Sequence, residues 1–361
     1  MTATRAWAAT RKGLFELRRS ARGWGVARVS FLAEPVSMVL PPVGGSGRML
    51  AALNLGHFGV KVHASDDAGA TWREVDAPTY PPQPEGGKDA EGPAWKLVQI
   101  WSMEALHGAI WAGTLPGGLF KSTDGGEHWE LVDSLWSRPE RLGWFGGGYD
   151  VPGIHSILPH PTRPGELLLG ISCGGVWGSR EGSTQWELQA KGMRADFMPP
   201  EQADDENTQD PHLIALCDAV PTSVWCQHHN GIFRSTDGSR SWQEVKPPIA
   251  NFGFAVAVHP REPDTAWFAP AVKDEKRVPV DGALFVHRTR DGGKSFEALR
   301  TGLPQQDCYD LVYRHGLVVD GTGRSLLMGS TTGNLWASDD AGDSWTEVAG
   351  HLPPIHALRF G

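Results

Sequence analysis

Short runs of alternating apolar and polar residues cover this chain from one end to the other, with clusters of glycine, proline, serine and aspartate between them. That alternation predicts β-strands joined by tight turns. Gly118-Leu119-Phe120-Lys121, Gly231-Ile232-Phe233-Arg234 and Gly333-Asn334-Leu335-Trp336-Ala337 each read as a strand opened by a glycine. Other runs come in pairs. Ile154 to Leu158 turns through His160-Pro161-Thr162-Arg163-Pro164 into Leu167 to Gly170, and Ala255 to Val258 turns through His259-Pro260-Arg261 into Thr265 to Phe268.

A phrase, Ser-x-Asp-x-Gly-x-x-Trp, follows many of these strands and returns about every fifty residues, a period typical of propellers and arrays. Intact copies are Ser65, Asp67, Gly69, Trp72; Ser122, Asp124, Gly126, Trp129; and Ser338, Asp340, Gly342, Trp345. Thr289, Asp291, Gly293, Phe296 and Ser235, Asp237, Ser239, Trp242 are variants. Ser179, Glu181, Ser183, Trp186 is a worn copy, and Trp24 is read as the remnant of another. The segment is expected to be a hairpin turn whose Asp accepts hydrogen bonds from turn amides and whose Gly supplies a positive φ. The Trp should open the next strand and pack between sheets. A carboxylate repeated in every unit is read as a folding device, not as a calcium ligand or a catalytic acid.

The phrase resembles the Asp-box, or BNR repeat, of sialidases, sortilin-type receptors and many bacterial propellers, and it covers the chain nearly end to end. The resemblance implies an all-β, sialidase-like and WD40/YVTN-like propeller. Six units of four strands run from about Val36 to Val348. The N-terminal runs Arg5 to Ala9, Gly13 to Leu17 and Trp24 to Val26 are second, third and fourth strands without a first. Ile355 to Phe360 is a first strand with nothing after it. Joined, they give a seventh blade, shared between about 1–30 and 354–361, and remove two exposed edges. The expectation is a single seven-bladed β-propeller domain of four-stranded antiparallel blades over 1–361.

Composition fits that reading: 45 Gly and 27 Pro supply turns, and 16 Trp supply packing between blades. The formal charge of −9, with no basic run, argues against nucleic acid as a partner. The start lacks a signal-peptide pattern and no apolar run is long enough to span a membrane, so a cytoplasmic protein without a membrane partner is expected. Cys173, Cys217, Cys226 and Cys308 are scattered and read as free buried thiols.

Long loops collect at 76–94, 133–153, 190–211 and 270–282, which marks one side of the blades as functional. Aligning first strands on the His-Pro turns places His155 level with Ser37, Trp101, His212, Phe254, His315 and His356. Four of these seven positions near the channel mouth are histidine, and His57 and His229 lie in second-to-third-strand loops on the same side. His160 and His259 sit in the opposite turns and are read as structural. A divalent transition metal (Zn, Fe, Mn or Cu) on His57, His155, His212, His229 and His315 is therefore one expectation. Arg194, Arg314 and Tyr309 would complete the site; an arginine there suits a carboxylate or phosphate on a small-molecule ligand. The leading reading is a metal-dependent hydrolase, lyase or oxygenase acting on a small molecule. The plain reading of Arg194 is a salt bridge to Asp196 that anchors their loop. A sialidase is disfavoured, because Ala8-Ala9-Thr10-Arg11-Lys12-Gly13 stands where an Arg-Ile-Pro signature is expected, and Arg141, Arg194 and Arg314 match no motif. Another type of glycosidase needs only two placed carboxylates. A non-catalytic scaffold, like the propellers of this kind that assist photosystem assembly, would require a basic patch, and none is read from the sequence. Oligomeric state is left open.

Overall fold

A computed structural model of the protein describes residues 2–42, 46–180 and 182–361; Glu181 of the worn turn copy lies outside them. The N-terminal strands are β1 (Arg5–Thr10), β2 (Gly13–Ser20) and β3 (Gly23–Ser30). Next come β4 (Val36–Leu40), β5 (Met49–Asn54), β6 (Val60–Ser65) and β7 (Arg73–Val75), then β8 (Gln99–Leu106), β9 (Ala109–Leu115), β10 (Leu119–Ser122) and β11 (Glu130–Leu131). They are followed by β12 (Ile154–Pro159), β13 (Leu167–Ile171), β14 (Gly175–Arg180) and β15 (Gln185–Leu188), then β16 (Pro211–Cys217), β17 (Val220–His228), β18 (Gly231–Ser235) and β19 (Gln243–Val245). The last groups are β20 (Gly253–Val258), β21 (Ala266–Pro270), β22 (Val286–Thr289) and β23 (Glu297–Leu299), then β24 (Leu317–Val319), β25 (Leu326–Gly329), β26 (Leu335–Ser338) and β27 (Thr346–Ala349), with β28 (Ile355–Phe360) at the end.

Among the described residues these strands form seven four-stranded antiparallel sheets, the blades of a β-propeller. Six blades use four consecutive strands. The seventh has the order β28-β1-β2-β3, with Trp7 opposite Arg359 and Ala8 opposite Leu358. Helix is confined to short pieces in the long loops, such as α1 (Lys88–Glu91) and α2 (Asp133–Trp136).

The chain divides into two compact units: Met1–Val36, His212–Gly238 and Trp242–Gly361 make one, and Ser37–Pro211 with Ser239–Ser241 make the other. In the first, Trp7, Trp225 and Trp267 are fully buried on second strands. One of its cores packs Trp267, Trp336 and Trp345 with Leu284, Leu317 and Met328. In the second, Trp111, Trp177 and Trp186 pack with Ile154, Leu169 and Ile171. Burying a large apolar side chain is worth about 1.5–3 kcal/mol, so these rows carry much of each unit's stability.

The repeated turns are built as the sequence predicts. Gly69 N–H donates to Ser65 Oγ, Ser65 Oγ donates to Asp67 Oδ1, and Thr71 N–H donates to Asp67, each at 2.8 Å. The copies at Ser122 and Ser338 repeat the Ser–Asp and Gly–Ser bonds at 2.8 Å. Where Ser239 replaces the glycine, the backbone keeps a positive φ of 70°. Hydrogen bonds from Thr71 and Ser65 hold the Asp67 carboxyl far below its usual range, so it stays ionised as a turn acceptor. The indole of Trp129 donates to the Asp76 carbonyl at 3.1 Å, and that of Trp186 to Ser134 at 3.0 Å. His259 Nδ1 accepts from the amides of Arg261 and Glu262, which makes its His-Pro turn structural.

Candidate functional site

In four blades the first strand carries one residue more than its partner strand. The surplus residue is Trp101 in β8, His155 in β12, Phe254 in β20 and His356 in β28. These are positions that the sequence alignment lays over one another. A β-bulge of this kind bends the strand and re-aims the side chain. Ser37 and His212 stand at the same place, second in β4 and β16. His315 lies just before β24 and bridges Ala357 of β28.

A hydrogen bond recurs at these positions. His212 Nδ1 donates to the Gly253 carbonyl at 2.6 Å, His356 Nδ1 to the Val36 carbonyl at 3.1 Å, and Ser37 Oγ to the Ile100 carbonyl at 3.0 Å. Each acceptor immediately precedes the aligned residue of another blade. A carbonyl only accepts, so Nδ1 carries a proton in both histidines. Burial pushes His356 below the usual imidazole range despite its bond to Val36, which keeps it neutral near pH 7.

In the first unit these constraints assemble an aromatic floor. The His212 ring stacks on Phe254 at 4.5 Å and 15°, and His229 meets it edge-on at 5.4 Å. Phe252 packs against His212, His229 and Phe254 at 5.7, 5.8 and 5.3 Å. Tyr313 closes the side of Phe254 at 4.9 Å, and the guanidiniums of Arg277 and Arg314 lie over its ring at 5.3 and 5.5 Å. His212, Phe252, Phe254 and Arg314 are buried and His229 is half-buried. A desolvated cation over an aromatic face gains about 2 kcal/mol, which helps to hold the buried Arg314; Arg277, 38% exposed, gains about 0.5–1 kcal/mol. His212 and His229 are thus two candidate metal-ligating imidazoles that the fold brings together. Sequence reasoning found His212, His229 and Arg314. It passed over Phe252 and Tyr313, whose only signal was nearness to strand starts, and Arg277, which lies within the long 270–282 loop.

The remaining expected residues are placed elsewhere. Tyr309 is 65% exposed. In the second unit, His57 lies in an exposed turn and stacks on Phe58 at 3.8 Å. His155 is fully buried, with Nδ1 2.9 Å from Ser156 Oγ and its ring edge-on to Trp101 at 5.4 Å. Arg194 pairs with Asp196 at 2.8 Å and Asp204 at 3.1 Å, which is the loop-anchoring role.

The N-terminal strands concentrate basic residues that the sequence reading passed over. Residues 1–30 contain seven Lys and Arg against one acid, in a chain whose formal charge is −9. The fold gathers three of them on one carboxylate: Arg5, Arg18 and Arg28 each reach Glu16 at 2.7 Å. Burial would raise the Glu16 pKa, but hydrogen bonds from Arg18 and Arg5 and the charges of Arg5 and Arg28 hold it below its usual range. Arg11, Lys12, Arg18 and Arg22 are exposed, as are Val26, Val29 and Leu32. The arginines lie on different strands without forming a run, so the pattern is visible only once β1, β2 and β3 are side by side.

No family model matches the chain. Among curated proteins, the photosystem II assembly lipoprotein Ycf48 of Trichormus variabilis is 24% identical over 172 residues, which cover 40% of this chain and 48% of that protein. The match therefore spans about half the length of that relative. Among solved structures, an ancestral GH74 enzyme matches with a TM-score of 0.61 and 15% identity over 96% of this chain and 40% of its own. YCF48 bound to D1 peptide matches with a TM-score of 0.58 and 14% identity over 93% and 90%. YCF48 from Cyanidioschyzon merolae matches at 0.54 and 11% identity. At these identities the likeness is one of fold.

Proposed function

We propose that this chain is a protein-binding propeller of the assembly-factor type, and that its N-terminal blade takes an acidic segment of a partner. The carrying observation is the basic blade itself. Three guanidiniums share one buried carboxylate, so the cluster keeps net positive charge after pairing, and the blade adds exposed Arg11 and Lys12 in the turn at one end and Arg22 in the turn at the other. β3 is the edge strand of that blade and also offers exposed Val26 and Val29, which pair with Leu17 and Phe15 on the face opposite Glu16. The D1 peptide in the YCF48 structure supports a peptide ligand for this type of propeller. The test is fluorescence anisotropy with a labelled Asp/Glu-rich decapeptide and its Asn/Gln counterpart. The acidic peptide should bind more tightly, weaken with salt, and lose at least tenfold in R18E/R22E. Equal binding of the two peptides, or binding of neither, overturns the reading.

A second reading is the metal-dependent enzyme. Supporting it, His212 and His229 lie together, and the Gly253 carbonyl holds His212 in the tautomer and orientation common in metal-ligating histidines. Zn, Fe, Mn or Cu would supply Lewis-acid chemistry there, with Arg314 orienting an anionic substrate group. Elemental analysis of gently purified protein that finds no stoichiometric transition metal rejects it.

A further inference from the structure

The second unit contains a cleft of about 340 Å³ formed by two of its long loops, and neither reading above uses it. Its walls include Trp95, Trp136, Trp144, Pro116 and Leu142, with Arg141 between them. The indoles of Trp95 and Trp136 meet at 75° with centroids 5.1 Å apart, forming a corner. The Arg141 guanidinium lies over both rings, 4.1 Å from Trp136 and 5.5 Å from Trp95.

Arg141 is fixed by two further contacts. Its Nε donates to the Trp136 carbonyl at 2.6 Å, and its Nη2 bonds to Asp89. The side chain is only 11% exposed. Among the described residues no group accepts from Nη1. The result is a desolvated guanidinium held rigidly on two aromatic faces, with donors left over at the wall of a cleft whose lining mixes indoles and prolines with Lys88, Asp89 and Glu91. Such a group is pre-organised for planar, charge-assisted contact to an oxyanion. The indoles and prolines favour an apolar body attached to it. Asp89 neutralises the Arg141 charge, and Lys88 and Glu91 of the lining carry opposite charges, so the cleft has no net positive charge to hold a multiply charged phosphate.

We propose that this cleft binds an apolar monocarboxylate, with the carboxylate on Arg141 and the body against Trp95 and Trp144. A free aromatic acid and the C-terminus of a peptide ending in an apolar residue share that chemistry. The experiment is isothermal titration of the full chain with three probes: indole-3-acetate, acetyl-Ala-Phe as free acid, and acetyl-Ala-Phe amide. At least one acid should bind, the amide should bind at least tenfold more weakly, and R141Q should remove the difference. R141K keeps the charge but loses the planar fork, and should weaken binding by an intermediate factor. Trp95→Ala, which leaves the Arg141–Asp89 pair in place, should weaken the acids about tenfold. Binding by indole-3-acetate alone identifies a small-molecule source, and preference for the peptide acid identifies a chain terminus. If neither acid binds, if acid and amide bind alike, or if folded R141Q and W95A bind as the wild type does, the proposal fails. The test does not involve the basic blade, so its outcome is separable from that of the acidic-peptide experiment.

Discussion

His212 Nδ1 donates to the Gly253 carbonyl at 2.6 Å, so one blade's first strand is tied to the start of the next through a side chain that also lines the candidate site. His212→Phe keeps the ring stack on Phe254 and removes the donor. We expect a loss of about 1–2 kcal/mol, from the bond and the stranded carbonyl, read as a lower denaturation midpoint in urea at unchanged slope. His212→Ala should cost more, because it also removes the stack.

Charging His287 should destabilise the fold. The residue is fully buried against Phe285 and Phe296, and burial lowers its pKa to about 4 despite the opposing pull of the Ala250 and Glu297 backbone. Its folded pKa lies below the unfolded value, so the unfolded chain takes up the proton first. Its contribution is complete above about pH 6.5, is lost progressively down to pH 4, and amounts to at most about 3 kcal/mol. Thermal melts from pH 7 to 4.5 should fall more steeply for the wild type than for His287→Gln.

Glu16 works on the carboxylate side of the scale. Its folded pKa is depressed, so its stabilisation is present above the unfolded value near 4.5 and is lost as pH falls through the folded value. Glu16→Gln should cost about 2–3 kcal/mol at pH 7 by leaving Arg5, Arg18 and Arg28 to repel one another, and this cost should shrink below pH 4. Chemical denaturation at the two pH values checks it.

The glycine of the repeated turn is required by both space and backbone. Gly342 has φ of +93°, and a Cβ there would lie 2.7 Å from Leu299 Cδ1. Gly342→Ala should cost about 2 kcal/mol. Gly59→Ala has a similar φ of +86° but open space around the new methyl, so about 1 kcal/mol is expected. Comparing the two melts separates strain from clash.

Removing residues 355–361 should strip β1 of its partner and leave an open edge. We expect loss of a single cooperative transition and concentration-dependent aggregation in light scattering.

Much of the fold was legible because its devices are local. Ser65, Asp67 and Gly69 bond to one another within one turn, and Ile355 to Phe360 announces an unpaired first strand by alternation alone. The alignment of Trp101, His155, Phe254 and His356 was also correct to the residue, since each is bulged. The bulge itself has no local signature; it comes from the register between two strands. Arg5, Arg18 and Arg28 escaped notice for the same reason, as strand pairing brings them to Glu16. Arg141 and Trp95 come from separate irregular loops, whose paths no periodicity encodes.

The pairing of β28 with β1 also sets an order of events. As the chain emerges during synthesis, β1, β2 and β3 appear long before β28, the strand that completes their sheet. The blade that carries the arginine cluster therefore stays unfinished until the six intervening blades have been made. The Glu16 cluster gains its complete sheet only after β28 has emerged.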